Sequence, residues 1–233
     1  MQLVIYYGIV QQKYYKGPEI GRIEAHDERT KEKYASNPDV DTSRSALNFH
    51  LIQPEHSYRK EAERQIAEAG CRVRSDSVKL VEVLIAGTPS FFKDKTQEQI
   101  KEYFEHALEF LKQKQRAETF VSAVMHLDEK TPHMHVTFVP LTEDNRLSAK
   151  EIIGNKAKLS QWQSDYWTHM VGKYPDLERG ESADNTNSQL KCLTERIRFF
   201  VLTKPSEVKR TGGTLNGTRQ SQSEKDGARI KPF

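Results

Sequence analysis

The residues most able to do chemistry sit in one short stretch, His126-Leu-Asp128-Glu129-Lys-Thr-Pro132-His133-Met-His135. His133 and His135 are two apart, so on a strand both imidazoles leave the same face. His126 ends the preceding apolar run, and the polar turn from Asp128 to Pro132 is short enough to bring it back across from the His133/His135 pair. Three imidazoles then converge on one point. Three neutral histidine ligands with open positions describe a catalytic divalent-metal site. The plainer alternative is a set of unconnected surface histidines on an edge hairpin. Three of the eight histidines falling within ten residues weigh against it. Met134, Val136 and Phe138 alternate with the histidines and give the hairpin a core-facing side, which leaves the histidine side free for a ligand. Asp128 and Glu129 lie on the turn beside the site. As turn residues they supply polarity; as site residues they orient a ligand or accept a proton. Their spacing does not choose between the two.

These residues need a scaffold, and the rest of the chain alternates strands with helices. Gln2 to Val10 has strand composition, and Gly17 to Asn37 is a polar segment that reads as a loop or short helix. Leu47 to Ile52 reads as a short strand. Ser57 caps a helix that Gly70 stops. Val78 to Ala86 is a strongly apolar strand. Thr96 and Gln99 form a capping box ahead of a long helix with the stripe Ile100, Phe104, Ala107, Leu108 and Leu111. Phe120 to Leu127 and His133 to Val139 make the histidine hairpin. Ser148 and Glu151 form a second capping box, and Asn155 caps a further helix with Leu159, Trp162, Tyr166 and Met170 on one side. The fold class this predicts is α/β (α+β): a mainly antiparallel sheet of about five strands with helices packed on one face.

The 233 residues carry 36 Lys or Arg against 33 Asp or Glu, a formal net charge of +3. That charge is unevenly placed. Residues 203–233 hold seven Lys or Arg against three Asp or Glu, a local +4, so the remainder sums to −1. This terminal segment is rich in Gly, Ser and Thr and has too little apolar surface to offset its ordering entropy, which predicts a basic, disordered tail. The expected organisation is a catalytic domain over 1–180, a short docking element over 181–202 that contains the apolar run from Ile197 to Leu202, and the tail over 203–233. No apolar run reaches the length of about 18 residues that a membrane helix needs. The N-terminus lacks a basic segment ahead of its apolar residues, so it reads as a strand and not a signal peptide. Cys71 and Cys192 are far apart and lack metal spacing, as in a cytoplasmic protein with free thiols. Arg22, Arg74 and Lys156 are among the basic residues able to follow a DNA backbone.

The string His-x-Asp-Glu-x-x-Pro-His-x-His resembles the metal-binding signature of the MobV-type relaxases, the plasmid mobilisation and recombination (Mob/Pre) proteins of the His-hydrophobe-His nuclease group. Two further stretches carry the resemblance. One is His26-Asp27-Glu28-Arg29 with Tyr34 and then Asp41-Thr-Ser-Arg-Ser-Ala-Leu-Asn48-Phe49; the other is Arg146-Leu-Ser-Ala-Lys-Glu-Ile-Ile-Gly154 with Leu177-Glu-Arg-Gly180. Together they span Met1 to Gly180. The resemblance implies the fold of those relaxases and an endonuclease that nicks one DNA strand at a plasmid transfer origin for conjugative mobilisation. It implies a divalent ion, Mn2+ or Mg2+, on His126, His133 and His135. His26 would be the nucleophile and would leave a covalent 5′-phosphate adduct with a free 3′-hydroxyl. Glu129 would orient or deprotonate His26, Asp128 would orient a ligand from behind, and Arg29 would contact DNA. The implied partners are single-stranded and supercoiled plasmid DNA at the origin, with relaxosome or coupling proteins.

The chain departs from the family pattern in two places. Asp27 stands where Asn is usual, and no sustained heptads follow Gly180 where relatives continue into a long, often coiled-coil region. Two alternatives stay open on these residues. A rolling-circle replication initiator would share the hairpin but attack with a tyrosine, among Tyr6, Tyr7, Tyr14 and Tyr15. A non-catalytic origin-binding protein or repressor would keep the fold alone.

Overall fold

The computed structural model describes residues 6–180, apart from 32–33 and 35–36. The docking element expected over 181–202 and the tail expected over 203–233 lie outside the described residues, as does Cys192. Six strands form one sheet: β1 (Tyr6–Tyr15), β2 (Phe49–Ile52), β3 (Leu80–Gly87), β4 (Phe120–His126), β5 (His133–Phe138) and β6 (Leu177–Arg179). Their order across the sheet is β2-β4-β5-β3-β1-β6. Every neighbouring pair is antiparallel except β1 and β6, which run parallel.

The central position of β3, between β5 and β1, explains its composition. All eight of its residues are buried, and a strand buried on both faces reads as a nearly continuous apolar run. Val81, Val83 and Ile85 face the same way as Met134, Val136 and Phe138 of β5, and this side packs against α4 (Gln97–Lys114) and α6 (Lys156–Val171). Both helices begin as their sequences demand. Thr96 and Gln99 make the full capping box on α4, and the Asn155 side chain accepts from the Lys158 amide at the start of α6. A buried hydrogen bond of 3.0 Å between the Tyr103 and Tyr166 hydroxyls joins the two helices. Two short helices, α3 (Pro89–Phe92) and α5 (Ala149–Ile152), cover the ends of this layer.

The other face is also covered, which differs from the one-sided layer expected from the sequence. Here α1 (Ile20–Asp27) and α2 (Tyr58–Glu68) bury Ile20, Ile23, Tyr58, Ala62 and Ile66 against Tyr15, Leu80, Val121 and Val139. Ser57 caps α2, and Gly70 follows it with φ +60°, the left-handed conformation that glycine adopts without a Cβ penalty. The expected strand at the N-terminus runs on to Tyr15. Gln11, Gln12 and Lys13 interrupt the apolar pattern, yet all three pair with β3. Tyr14 and Tyr15 are therefore strand residues.

Candidate active site

The β4–β5 hairpin places the histidines by register. His126 pairs directly with His133, and His135 pairs with Val124 one step along, so all three imidazoles project from the same sheet face. That face is not open. Helix α1 lies over it, and His126, His133 and His135 are 0%, 8% and 4% exposed. The last turn of α1 adds His26 to the cluster, with its ring 5.4 Å from that of His126 and 5.0 Å from that of His135. His26 is buried as well, although it lies in a polar segment of the sequence. The docking of Ile20 and Ile23 brings it down onto the sheet.

In each of the three hairpin histidines one ring nitrogen faces an acceptor, which sets where the proton sits. His126 Nε2 donates to the Asp27 carbonyl at 2.9 Å, and His133 Nδ1 donates to the Thr131 carbonyl at 2.9 Å. His135 Nδ1 donates to the Glu82 carboxylate. The remaining nitrogens, His126 Nδ1, His133 Nε2 and His135 Nε2, therefore carry lone pairs. The first two are 3.3 Å apart, a spacing that two ligands of one first-row ion adopt. His135 Nε2 is buried and has no hydrogen-bond partner. A buried imidazole nitrogen without a partner, on a ring 4.8 Å from that of His126 and 5.0 Å from that of His133, fits a metal ligand. Burial, followed by the neighbouring histidines, holds His126 well below the ordinary imidazole range. Burial also holds His135 at about 4, despite the opposing pull of Glu82. Both rings are thus neutral near pH 7, the form that binds metal.

Arg29 ties the first motif to the hairpin. It follows the end of α1 with φ 51°, a left-handed conformation uncommon outside glycine and asparagine, and the turn sends its side chain back over the cluster. Its Nε and Nη2 grip Asp128 at 2.8 and 2.9 Å, and Nη2 also reaches Glu129 at 2.7 Å and His126 Nδ1 at 3.0 Å. Its Nη1 donates to His26 Nδ1 at 3.2 Å and to the His26 carbonyl at 2.9 Å. Burial works against the Asp128 carboxylate, but Arg29 and Ser45 outweigh it and hold the group at about 2. Glu129 is likewise kept below its ordinary range: burial pushes it up, and His133, Asn37 and Arg29 together push it further down. Both acids stay ionised.

The expected site residues thus divide by place. His26, Arg29, His126, Asp128, Glu129, His133 and His135 come together. His26, His126 and His135 offer ligand atoms within 4.8 Å of one another, as do His126, Glu129 and His133. Arg22 is exposed on α1, one turn before His26. Arg74 is exposed in the loop that leads into the end of β3 away from His133. Lys156 opens α6, a helix of the layer on the opposite sheet face. Four supporting residues had no role assigned from the sequence, although Ser45 and Asn48 lie in one of the matching stretches. Glu82 holds His135, Asn37 donates to Glu129 at 3.0 Å, Ser45 donates to Asp128 at 2.6 Å, and Asn48 accepts from the Leu127 amide at 2.7 Å. A lone acid in an otherwise apolar strand was the one visible signal for Glu82.

Comparison with known proteins agrees with this arrangement. Residues 5–193 match the family Mob_Pre, plasmid recombination enzyme. The chain is 37% identical over 194 residues to a plasmid recombination enzyme type 3 of Mammaliicoccus lentus, which covers 81% of this chain and 47% of that protein. It is 36% identical over 205 residues to a type 1 enzyme of Staphylococcus aureus, covering 85% of this chain and 51% of that protein. The chain therefore spans about half the length of the curated relatives it matches. Among solved structures, the MobM relaxase domain bound to plasmid pMV158 oriT DNA, in a Mn-bound crystal form, superposes with a TM-score of 0.72 at 28% identity, over 80% of this chain and 98% of that one. From its buried histidine cluster to the extent of its sequence match, this chain belongs to the Mob_Pre family of plasmid recombination enzymes.

Proposed function

We propose that the chain is the relaxase part of a plasmid mobilisation protein, a cytoplasmic enzyme that nicks one DNA strand at a transfer origin and keeps the 5′ end on His26. The observation that carries this reading is the convergence of the first-motif imidazole with the three hairpin imidazoles in one buried cluster. The MobM relaxase domain, solved with oriT DNA and manganese, has the same fold and supports this reading.

His126 Nδ1, which here accepts from Arg29 Nη2, would exchange that bond for a divalent ion, manganese or magnesium, held also by His133 Nε2 and His135 Nε2, while Arg29 keeps its bonds to Asp128 and Glu129. Once bound, the ion supplies Lewis acidity toward the scissile phosphate. The charge around the cluster suits a dication: the ionised carboxylates of Glu82, Asp128 and Glu129 stand against two cations, Arg29 and Lys13.

The chain's own residues perform the transfer. His26 is held neutral, because burial, and then His135 and Arg29, disfavour its charged form. The ring nitrogen that carries the lone pair forms the N–P bond as the P–O3′ bond breaks, and the N–H proton of the phosphorylated ring passes to solvent. The electron pair departs on the 3′ oxygen, which takes a proton from solvent, and the 5′-phosphate stays on the imidazole. Arg29 aims His26, so Glu129 acts on His26 through Arg29 and not by direct contact. Asp128 fixes Arg29 in that position. Single-stranded origin DNA is the substrate, reached from supercoiled plasmid, with relaxosome or coupling proteins as further partners.

Tyrosine attack has less support. Tyr14 alternates with Tyr15 along β1 and leaves the sheet on the side away from the histidines, and the Tyr15 hydroxyl is committed to Glu82 at 2.6 Å. Burial and the adjacent Glu82 also keep the Tyr15 phenol protonated. Nicking of the cognate supercoiled plasmid tests the metal role. EDTA is expected to stop the reaction and added Mn2+ to restore it; nicking that persists in EDTA would remove the ion from the mechanism.

A further inference from the structure

Glu82 is a carboxylate with 1% exposure in the central strand of the sheet, where an unpaired charge is costly. Its two oxygens are spoken for in opposite directions. Oε1 accepts from His135 Nδ1. Oε2 accepts from the Tyr15 hydroxyl at 2.6 Å and lies 3.8 Å from Lys13 Nζ. The register makes this inevitable. Lys13 pairs directly with Glu82 on one side, and on the other side His135 pairs with Leu84, two residues along β3 on the same face.

A second carboxylate competes for the same proton. Asp27 Oδ1 is 3.5 Å from His135 Nδ1. One N–H serves only one of them well. Neither Asp27 oxygen has a hydrogen-bond donor, whereas Glu82 is anchored from β1, so the geometry gives the proton to Glu82.

We propose that Glu82 is a positioning residue for the metal centre: it takes the Nδ1 proton of His135, sets the tautomer that leaves Nε2 bare, and is itself held by Tyr15 and Lys13. The tautomer part stands on the metal-free geometry, and only its consequence for ion binding rests on the metal reading above. A carboxylate behind a metal-binding histidine typically changes affinity by 10- to 100-fold when removed.

The test uses the full chain labelled with 15N, free of metal, at neutral pH. Long-range 1H–15N correlation spectra report which nitrogen of His135 carries the proton. In the wild type Nδ1 is expected to be protonated and Nε2 bare; in Glu82→Gln the amide can donate as well as accept, and His135 is expected to shift toward the Nε2-protonated form. Calorimetric titration with MnCl2 is expected to show binding at least tenfold weaker in Glu82→Gln. Tyr15→Phe, which removes one hydroxyl, is expected to move both readouts in the same direction by less, and it carries the test if Glu82→Gln does not fold. A wild-type His135 protonated on Nε2, or a tautomer that neither variant moves, overturns the proposal. A tautomer that shifts as expected in a protein that binds no Mn2+ leaves Glu82 in its role and defeats the metal reading instead.

Discussion

Asp27 is the least comfortable residue of the site. It is 1% exposed, neither of its oxygens has a hydrogen-bond donor, and it is the last residue of α1, where the helix dipole disfavours an acid. Burial, then the neighbouring Glu82 and Glu28, pushes its carboxyl well above the ordinary 3.8. A raised folded-state value means that the native protein holds this proton more tightly than the unfolded chain does. The penalty is therefore absent below about pH 4 and grows as pH rises through the folded value. Asp27→Asn removes the charge and keeps the shape. Metal-free Asp27→Asn is expected to unfold at higher urea, gaining about 1–3 kcal/mol near pH 7 and nothing near pH 3. A loss of stability at pH 7 would mean that the carboxylate makes a favourable contact. At this scale the sequence was readable where types and spacing sufficed. The histidine hairpin follows from alternation, and His26 and Arg29 from the motif resemblance. Glu82, Asn37 and Ser45 were not legible, because their roles depend on diagonal neighbours and loop approaches that join residues far apart in the chain.

The element that completes the site is α1. Its eight residues bury Ile20 and Ile23 against α2 and the sheet, and this docking lowers His26 onto the hairpin and places the Asp27 carbonyl against His126. The atoms proposed to hold the ion belong to β4 and β5, which pair with each other independently of α1. Ile20→Ala is accordingly expected to lower global stability by about 2–5 kcal/mol in urea unfolding. It is also expected to reduce covalent DNA capture more than it reduces Mn2+ affinity; an equal loss of both would show that α1 also shapes the ion site. The longer elements were legible because their ends carry strong local signals, such as the Thr96–Gln99 capping box and the Ser57 cap. The sequence leaves α1 open between a loop and a short helix, and β6 is not legible in it. The apolar stripe of α1 amounts to two isoleucines in a charged segment, and β6 has three residues whose strand character comes only from pairing in parallel with β1. The covering of both sheet faces followed from α1 and was missed.

At the scale of the molecule, the charge and the site agree on where DNA contacts must come from. Residues 1–202 sum to −1, so broad electrostatic attraction is not a property of this part of the chain. On the proposed mechanism the specific contacts come from local cations near the reacting groups. Among the described residues no helix is long and apolar enough to cross a membrane. The central claim is that His26 becomes covalently joined to DNA. Incubation of the full chain with a single-stranded oligonucleotide spanning its cognate origin and Mn2+, followed by tryptic digestion and mass spectrometry, reads this directly. Cleavage after Arg22 and Arg29 releases a peptide from Ile23 to Arg29 that contains His26 and no tyrosine. The account predicts an acid-labile nucleotide adduct on that peptide, absent from His26→Ala. An acid-stable adduct on a tyrosine peptide, or undiminished capture by His26→Ala, would contradict it.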